Sequence, residues 1–185
     1  MNHRIIIPLG ISILAASIGA VIYWERLETP EQPRIVPPSE TVTNEELPPD
    51  PGVAGQATLA GIDSDGDGVR DDVQRWIALN ILDSVRHREA LRSVARASQL
   101  AITAKTKEQS IEAANVGVRS IECLSYLGVR KLGLWKEVQA LMLNTEARII
   151  AMDAHSRRIH GEVFATLSDS NRRTACTFDV EALHN

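Results

Sequence analysis

The stretch DSDGDGVRDDVQRWIALNIL, residues 63–82, runs an acidic loop straight into a helical pattern. Asp63, Asp65 and Asp67 alternate strictly, and Gly66 and Gly68 are interleaved. Asp71 and Asp72 bring the carboxylates to five within residues 63–72. Such a loop repels itself unless a cation sits at its centre. Hard oxygen ligands at positions 1, 3 and 5, with glycine at position 6, open a calcium loop. Ca2+ is therefore the expected cofactor. The competing reading is a solvated acidic turn whose Asp71 and Asp72 only favour a helix N-terminus.

With Asp63 as position 1, the expected metal ligands are Asp63, Asp65, Asp67, the backbone carbonyl of Val69, Asp71 and Asp72. Gly68 at position 6 permits the sharp turn because it lacks a Cβ. Position 12, a bidentate Glu in a complete calcium loop, is Gln74, a poorer ligand. The closing carboxylate is then expected from Asp71 or Asp72. The segment resembles the acidic loops of thrombospondin type-3 repeats and of dockerin modules, which share DxDxDG and are EF-hand-like. The acid at position 10, Asp72, is similar to that of the short excalibur loop. The resemblance covers about a dozen residues and implies calcium binding, with no partner. Arg70 at position 8 departs from the apolar residue that pairs two EF-hands, and the loop has no second copy.

From Val69 onward there is no proline, and apolar residues recur at helical spacing. A first helix is expected over 70–82, carrying Val73, Trp76, Ile77 and Ile81. A second runs over 84–106, with Leu91, Val94, Ala95, Ala101 and Ile102 inward. A third covers 108–127, with Ile111, Ala114, Val118, Ile121 and Leu124, and Gly128 as its C-cap. A fourth covers 133–152, where Trp135, Val138, Met142, Thr145, Ile149 and Met152 keep a 3.6 period. It continues or restarts through Ile159, Val163, Phe164 and Leu167. No strand pair is evident. The expected fold is all-α, a small helical bundle preceded by the calcium loop.

Residues 5–24 carry no charge. A helix of that length spans roughly 30 Å, the hydrocarbon core of a bilayer. Tyr23 and Trp24 suit its outer interface, and the charge flanks place the remainder outside. An uncleaved inner-membrane anchor over residues 1–24 is expected, with a cleaved signal peptide as the alternative. Seven of the eight prolines lie between Pro30 and Pro51, among five acids. Residues 25–60 thus read as a disordered Pro/Glu-rich linker. The calcium loop and helical domain occupy 61–185, in the periplasm of a bacterium. Two cysteines in an exported domain, Cys123 and Cys176, are expected to form one disulfide.

Charge is segregated: residues 25–83 hold 13 acids and 4 bases, residues 84–175 hold 9 acids and 15 bases. Arg86, Arg88, Arg92 and Arg96 fall near one side of the second helix. Such a face is usually solvated, and an anionic glycan is the candidate ligand in an exported compartment. Nucleic acid is not expected there. The chain has no HExxH, GxSxG, P-loop or CxxCH motif, and no enzymatic activity is expected. The leading functional expectation is a membrane-anchored periplasmic calcium-binding module, structural or interacting with an unidentified envelope protein or anionic glycan. The alternatives are a calcium-dependent cell-wall enzyme or enzyme subunit, and an envelope calcium sensor.

Overall fold

The computed structural model describes residues 47–82 and 84–183. The expected anchor, and the linker before residue 47, lie outside the described residues. Among the described residues the regular structure is all helical, and no helix is long and apolar enough to cross a membrane. The α-helices are α1 (Asp71–Asn80), α2 (Val85–Thr103), α3 (Lys107–Tyr126), α4 (Leu134–Met142) and α5 (Glu146–Arg158). Short 3₁₀ turns occupy Gly52–Gln56, Val129–Leu132 and Asp169–Ala175.

Side-chain caps define where α2, α3 and α5 begin. Ser84 accepts from His87 N at the start of α2. Thr106 and Gln109 form a reciprocal capping box at α3, satisfying two otherwise orphaned backbone donors. Thr145 accepts from Arg148 N at α5. The helix α2 is central. It packs against α3, its neighbour across a three-residue connection, and also against α1, α4 and α5. Val69, Val73 and Ile77 meet Leu91, Val94, Ile102, Leu124, Val138 and Met142 in the core. Trp76 and Trp135 are half-buried against it.

The continuous fourth helix expected over 133–152 is two helices. The 3.6 period runs across the break, but Asn144 and Thr145 carry side chains that bond the backbone or a following residue better than they extend a helix. Thr145 caps α5, and Asn144 Oδ1 accepts from Arg148 Nη1 at 2.5 Å. The apolar pattern therefore misassigns the inner face. Ile149 is 55% exposed, whereas Arg148 is fully buried. The helix α5 ends at Arg158, so the expected continuation is absent; Val163 is 94% exposed, while Leu167 packs against the core.

Arg148 also explains the placement of residues 48–60, which sequence composition assigns to the linker. Its guanidinium donates to the carbonyls of Gly55 (2.6 Å), Thr58 (2.9 Å) and Leu59 (3.3 Å). Arg75 donates to Pro48 O and Gln99 to Ala60 O. These donors hold the segment against the helices despite its few apolar side chains.

Gly61 sits where this segment crosses two buried arginines. Its φ is +70°, and an added Cβ would lie 2.5 Å from Arg70 Cδ and 3.0 Å from Gly55 O. Arg70 cannot swing aside, because its guanidinium is fixed by Asp72 and by α4. Gly61→Ala should destabilise by about 2–4 kcal/mol, combining left-handed strain with overpacking. The urea midpoint measures it, and an unchanged midpoint contradicts the packing described.

His155 is buried, and burial followed by the charge of Arg158 pushes its pKa below the ordinary value. A depressed histidine pKa means that the unfolded state takes up the proton first as pH falls. The associated stability is complete above about pH 6.5 and declines as pH drops toward the folded value. His155→Gln should flatten the fall in melting temperature between pH 7.5 and 5.5. Parallel curves for variant and parent would refute this.

Candidate metal centre

The acidic loop wraps around its own amides before it enters α1. Asp63 Oδ1 accepts from Gly66 N and Asp63 Oδ2 from Gly68 N, each at 2.9 Å. Asp65 Oδ1 accepts from Asp67 N at 3.2 Å, and Asp67 Oδ1 from Val69 N at 2.7 Å. These short-range bonds curl the chain so that its alternating side chains converge. Asp63, Asp65 and Asp67 each offer a carboxylate oxygen within 4.8 Å of the others. Two charges at about that separation repel by roughly 1–3 kcal/mol, depending on the local dielectric. The arrangement suits a hard cation and can hold a metal ion.

Gly68 takes φ +83°, and a Cβ there would approach Arg96 Cγ to 3.2 Å. The close passage lets Arg96 donate from Nε to Asp67 O at 2.7 Å, with Nη2 3.7 Å from Asp67 Oδ2. The loop is thereby joined to α2 by a cation that offsets part of its charge. Burial pushes the Asp67 carboxyl above the ordinary carboxylate value, the amide of Val69 and the charge of Arg96 opposing. Asp65 lies below that value, chiefly through its hydrogen bond from Gln74.

The remaining expected ligands separate. Asp71 is buried beside the loop; Oδ1 accepts from Ser64 N at 2.9 Å, and Oδ2 has no hydrogen-bond partner. Gln74, at position 12, donates from Nε2 to Asp65 Oδ2 at 3.0 Å, and its buried Oε1 is likewise without a partner. Two unsatisfied oxygens at positions 9 and 12 are costly without a donor or a cation. Asp72 turns the other way. Arg70 grips both of its carboxylate oxygens, at 2.9 and 2.8 Å. Val69 is fully buried, with its amide bonded to Asp67.

In the sequence, Arg70 reads only as a departure from the pairing position and Arg96 only as part of a basic face. Both are contacts between loop and helices. The basic face itself is engaged within the protein. Arg86 donates to Leu183 O, Arg88 to the carbonyls of Ile81 and Leu82, and Arg92 pairs with Glu89. The sulfurs of Cys123 and Cys176 lie at bonding distance, with the Cα atoms 4.8 Å apart. No family model matches the chain, and neither curated proteins nor solved structures provide a match.

Proposed function

We propose that the chain is a membrane-anchored periplasmic module whose helical domain is locked by one calcium ion and which engages an envelope protein or an anionic glycan. The observation that carries the reading is the convergence of Asp63, Asp65 and Asp67 on a loop tied to α1 through Asp71 and to α2 through Arg96. Residues 63, 65, 67 and 71 would ligate through side chains, Val69 through its carbonyl, and the free Oε1 of Gln74 is a further candidate. Asp72 serves as the partner of Arg70. Calcium supplies charge neutralisation at the loop. The chain's own residues then transmit that neutralisation to the N-terminus of α1 and to the centre of α2. The uncharged run over residues 5–24 and the two cysteines support an exported, anchored chain.

The full-length chain should bind one calcium with a dissociation constant on the order of 10⁻⁵–10⁻³ M, the range of sensor and extracellular sites. Binding should raise the melting temperature, with a stabilisation of about 2.7 kcal/mol at 100-fold saturation. Magnesium should do less, because it demands a smaller octahedral shell. Helicity by circular dichroism should stay nearly constant, as a lock requires; a large calcium-driven gain would favour a sensor. Equal melting curves in calcium and in chelator, or calcium heats unchanged in Asp65→Ala and Asp67→Ala, would overturn the reading. A mature chain beginning near residue 18–21 would overturn the anchor.

A further inference from the structure

On the other side of α2 from the acidic loop, the small side chains of two packed helices leave a space unfilled. Ala97 and Ala101 of α2 face Ala113 and Gly117 of α3 around a cavity of about 540 Å³. That volume falls within the range of small-molecule sites. Met152 of α5 closes part of the apolar wall. The irregular segment 162–168 crosses the cavity's edge and contributes Thr166. It is held at one end by the ion pair between Lys107 and Glu162 and at the other by Leu167 N, which donates to Glu122 Oε1.

The cavity lining also includes buried polar side chains. Glu122 and His155 are two of these, and each is only 6% exposed. Glu122 Oε2 and His155 Nδ1 have no hydrogen-bond partner, and neither does Nε of Arg172, which lines the same space. Buried polar atoms in this state cost more than a made hydrogen bond returns, so they are seldom retained without a ligand or water. Their chemistry selects the ligand. Glu122 Oε2 needs a donor. Arg172 Nε–H needs an acceptor. The imidazole nitrogen can meet either. A cationic head would be set against Arg172 and Arg130, and an anionic one against Glu122.

We propose that this cavity binds a small, uncharged, largely apolar molecule whose polar end both donates and accepts hydrogen bonds, an alcohol or a primary amide. A hydroxyl gives its proton to Glu122 Oε2 and accepts from Arg172 Nε or from the imidazole, while the apolar body fills the alanine-lined space. The site is separate from the acidic loop and does not depend on its occupancy.

Three probes sharing one body test this: 2-naphthalenemethanol, 2-naphthoate and 2-methylnaphthalene. Binding is read by equilibrium dialysis against the full-length chain in lipid nanodiscs, with empty discs subtracted. The alcohol should bind saturably, one per chain, and about three- to tenfold more tightly than the hydrocarbon, the effect of one net hydrogen bond. The carboxylate should bind more weakly than the alcohol. Glu122→Gln keeps the oxygen that accepts from Leu167 N and turns the free position into a donor, so the preference for alcohol over carboxylate should shrink. Gly117→Leu extends a side chain from the cavity wall; its Cβ would meet Ala97 Cβ at 3.9 Å, ordinary contact. That variant should keep its melting temperature and lose saturable binding of all three probes. No saturable binding to the parent chain, which would mean a cavity holding water alone, overturns the proposal. So does binding unaffected by Gly117→Leu, and so does a carboxylate that outbinds the alcohol.

Discussion

Replacing Arg70 with alanine should lower the unfolding free energy by about 3–5 kcal/mol, the range seen when one partner of a buried ion pair is removed. Arg70 is fully buried, and its guanidinium performs two tasks at once. It holds Asp72 through two parallel bonds, and it donates to Leu141 O at 2.9 Å and Met142 O at 3.2 Å. Those carbonyls end α4, where a helix has no amides left to satisfy them and where its dipole favours a cation. Truncation strips Asp72 of its partner, orphans two carbonyls and opens space beneath Gly61. Arg70→Met separates these effects, since it keeps the apolar stem and removes the donors. We expect Met to recover less than half of the loss. Arg70→Lys should also recover only part, because a point charge cannot match two carboxylate oxygens and two carbonyls together. Urea denaturation at saturating calcium measures all three. A methionine variant as stable as the parent would show that burial of the stem, and not the bonds, holds this end of α4.

Arg70 also marks the boundary of what the residues disclose before folding. The acidic loop was legible because its signal is local: alternating carboxylates and a glycine at a set offset curl into a cluster through bonds that span two to five residues. The helices were legible for a similar reason, since caps such as Thr106 and apolar residues such as Leu91, Val94 and Ile102 act within a few turns. The distant partners of polar side chains were not legible. Nothing at position 70 announces the end of α4, more than seventy residues later. Nothing at Arg148 announces Gly55, Thr58 and Leu59, ninety residues earlier. Both are arginines that an apolar periodicity excludes from the core, and both are fully buried because backbone carbonyls surround them. The break at Asn144 and Thr145 was hidden differently. The 3.6 period survived it, and only the capping chemistry of those two residues distinguished two helices from one. The cavity was masked because Ala114 and Val118, expected on the apolar face of the third helix, line it, while Ile121 both lines it and packs on the core; a period gives a face but not what stands opposite it.

Removing the bridge between Cys123 and Cys176 should cost about 4 kcal/mol, the loop-closure entropy of an unfolded chain freed of a 53-residue cross-link. The paired variant Cys123→Ala with Cys176→Ala is the cleanest form, since it leaves no thiol to react. Cys123 is buried on α3, next to Glu122, and Cys176 follows the 3₁₀ turn Asp169–Ala175. After α5 the chain is largely irregular, and besides the bridge it is held by hydrogen bonds and by packing. Leu167 N donates to Glu122, Thr177 Oγ1 lies 3.3 Å from Ser93 Oγ, and Leu183 O accepts from Arg86 at 2.7 Å, while Leu167, Ala175 and Phe178 pack on the core. Without the bridge these contacts must hold residues 162–183. Amide exchange should therefore accelerate there first, while α2 and α3, which pack on each other along their length, stay protected. The entropic origin makes a second demand. If the loss arises in the unfolded chain, that chain becomes more expanded, and the urea m-value should rise as the midpoint falls. A lower midpoint with unchanged m would place the loss in the folded state, in the packing around Cys123. An unchanged midpoint would show that the contacts of residues 162–183 suffice without the bridge.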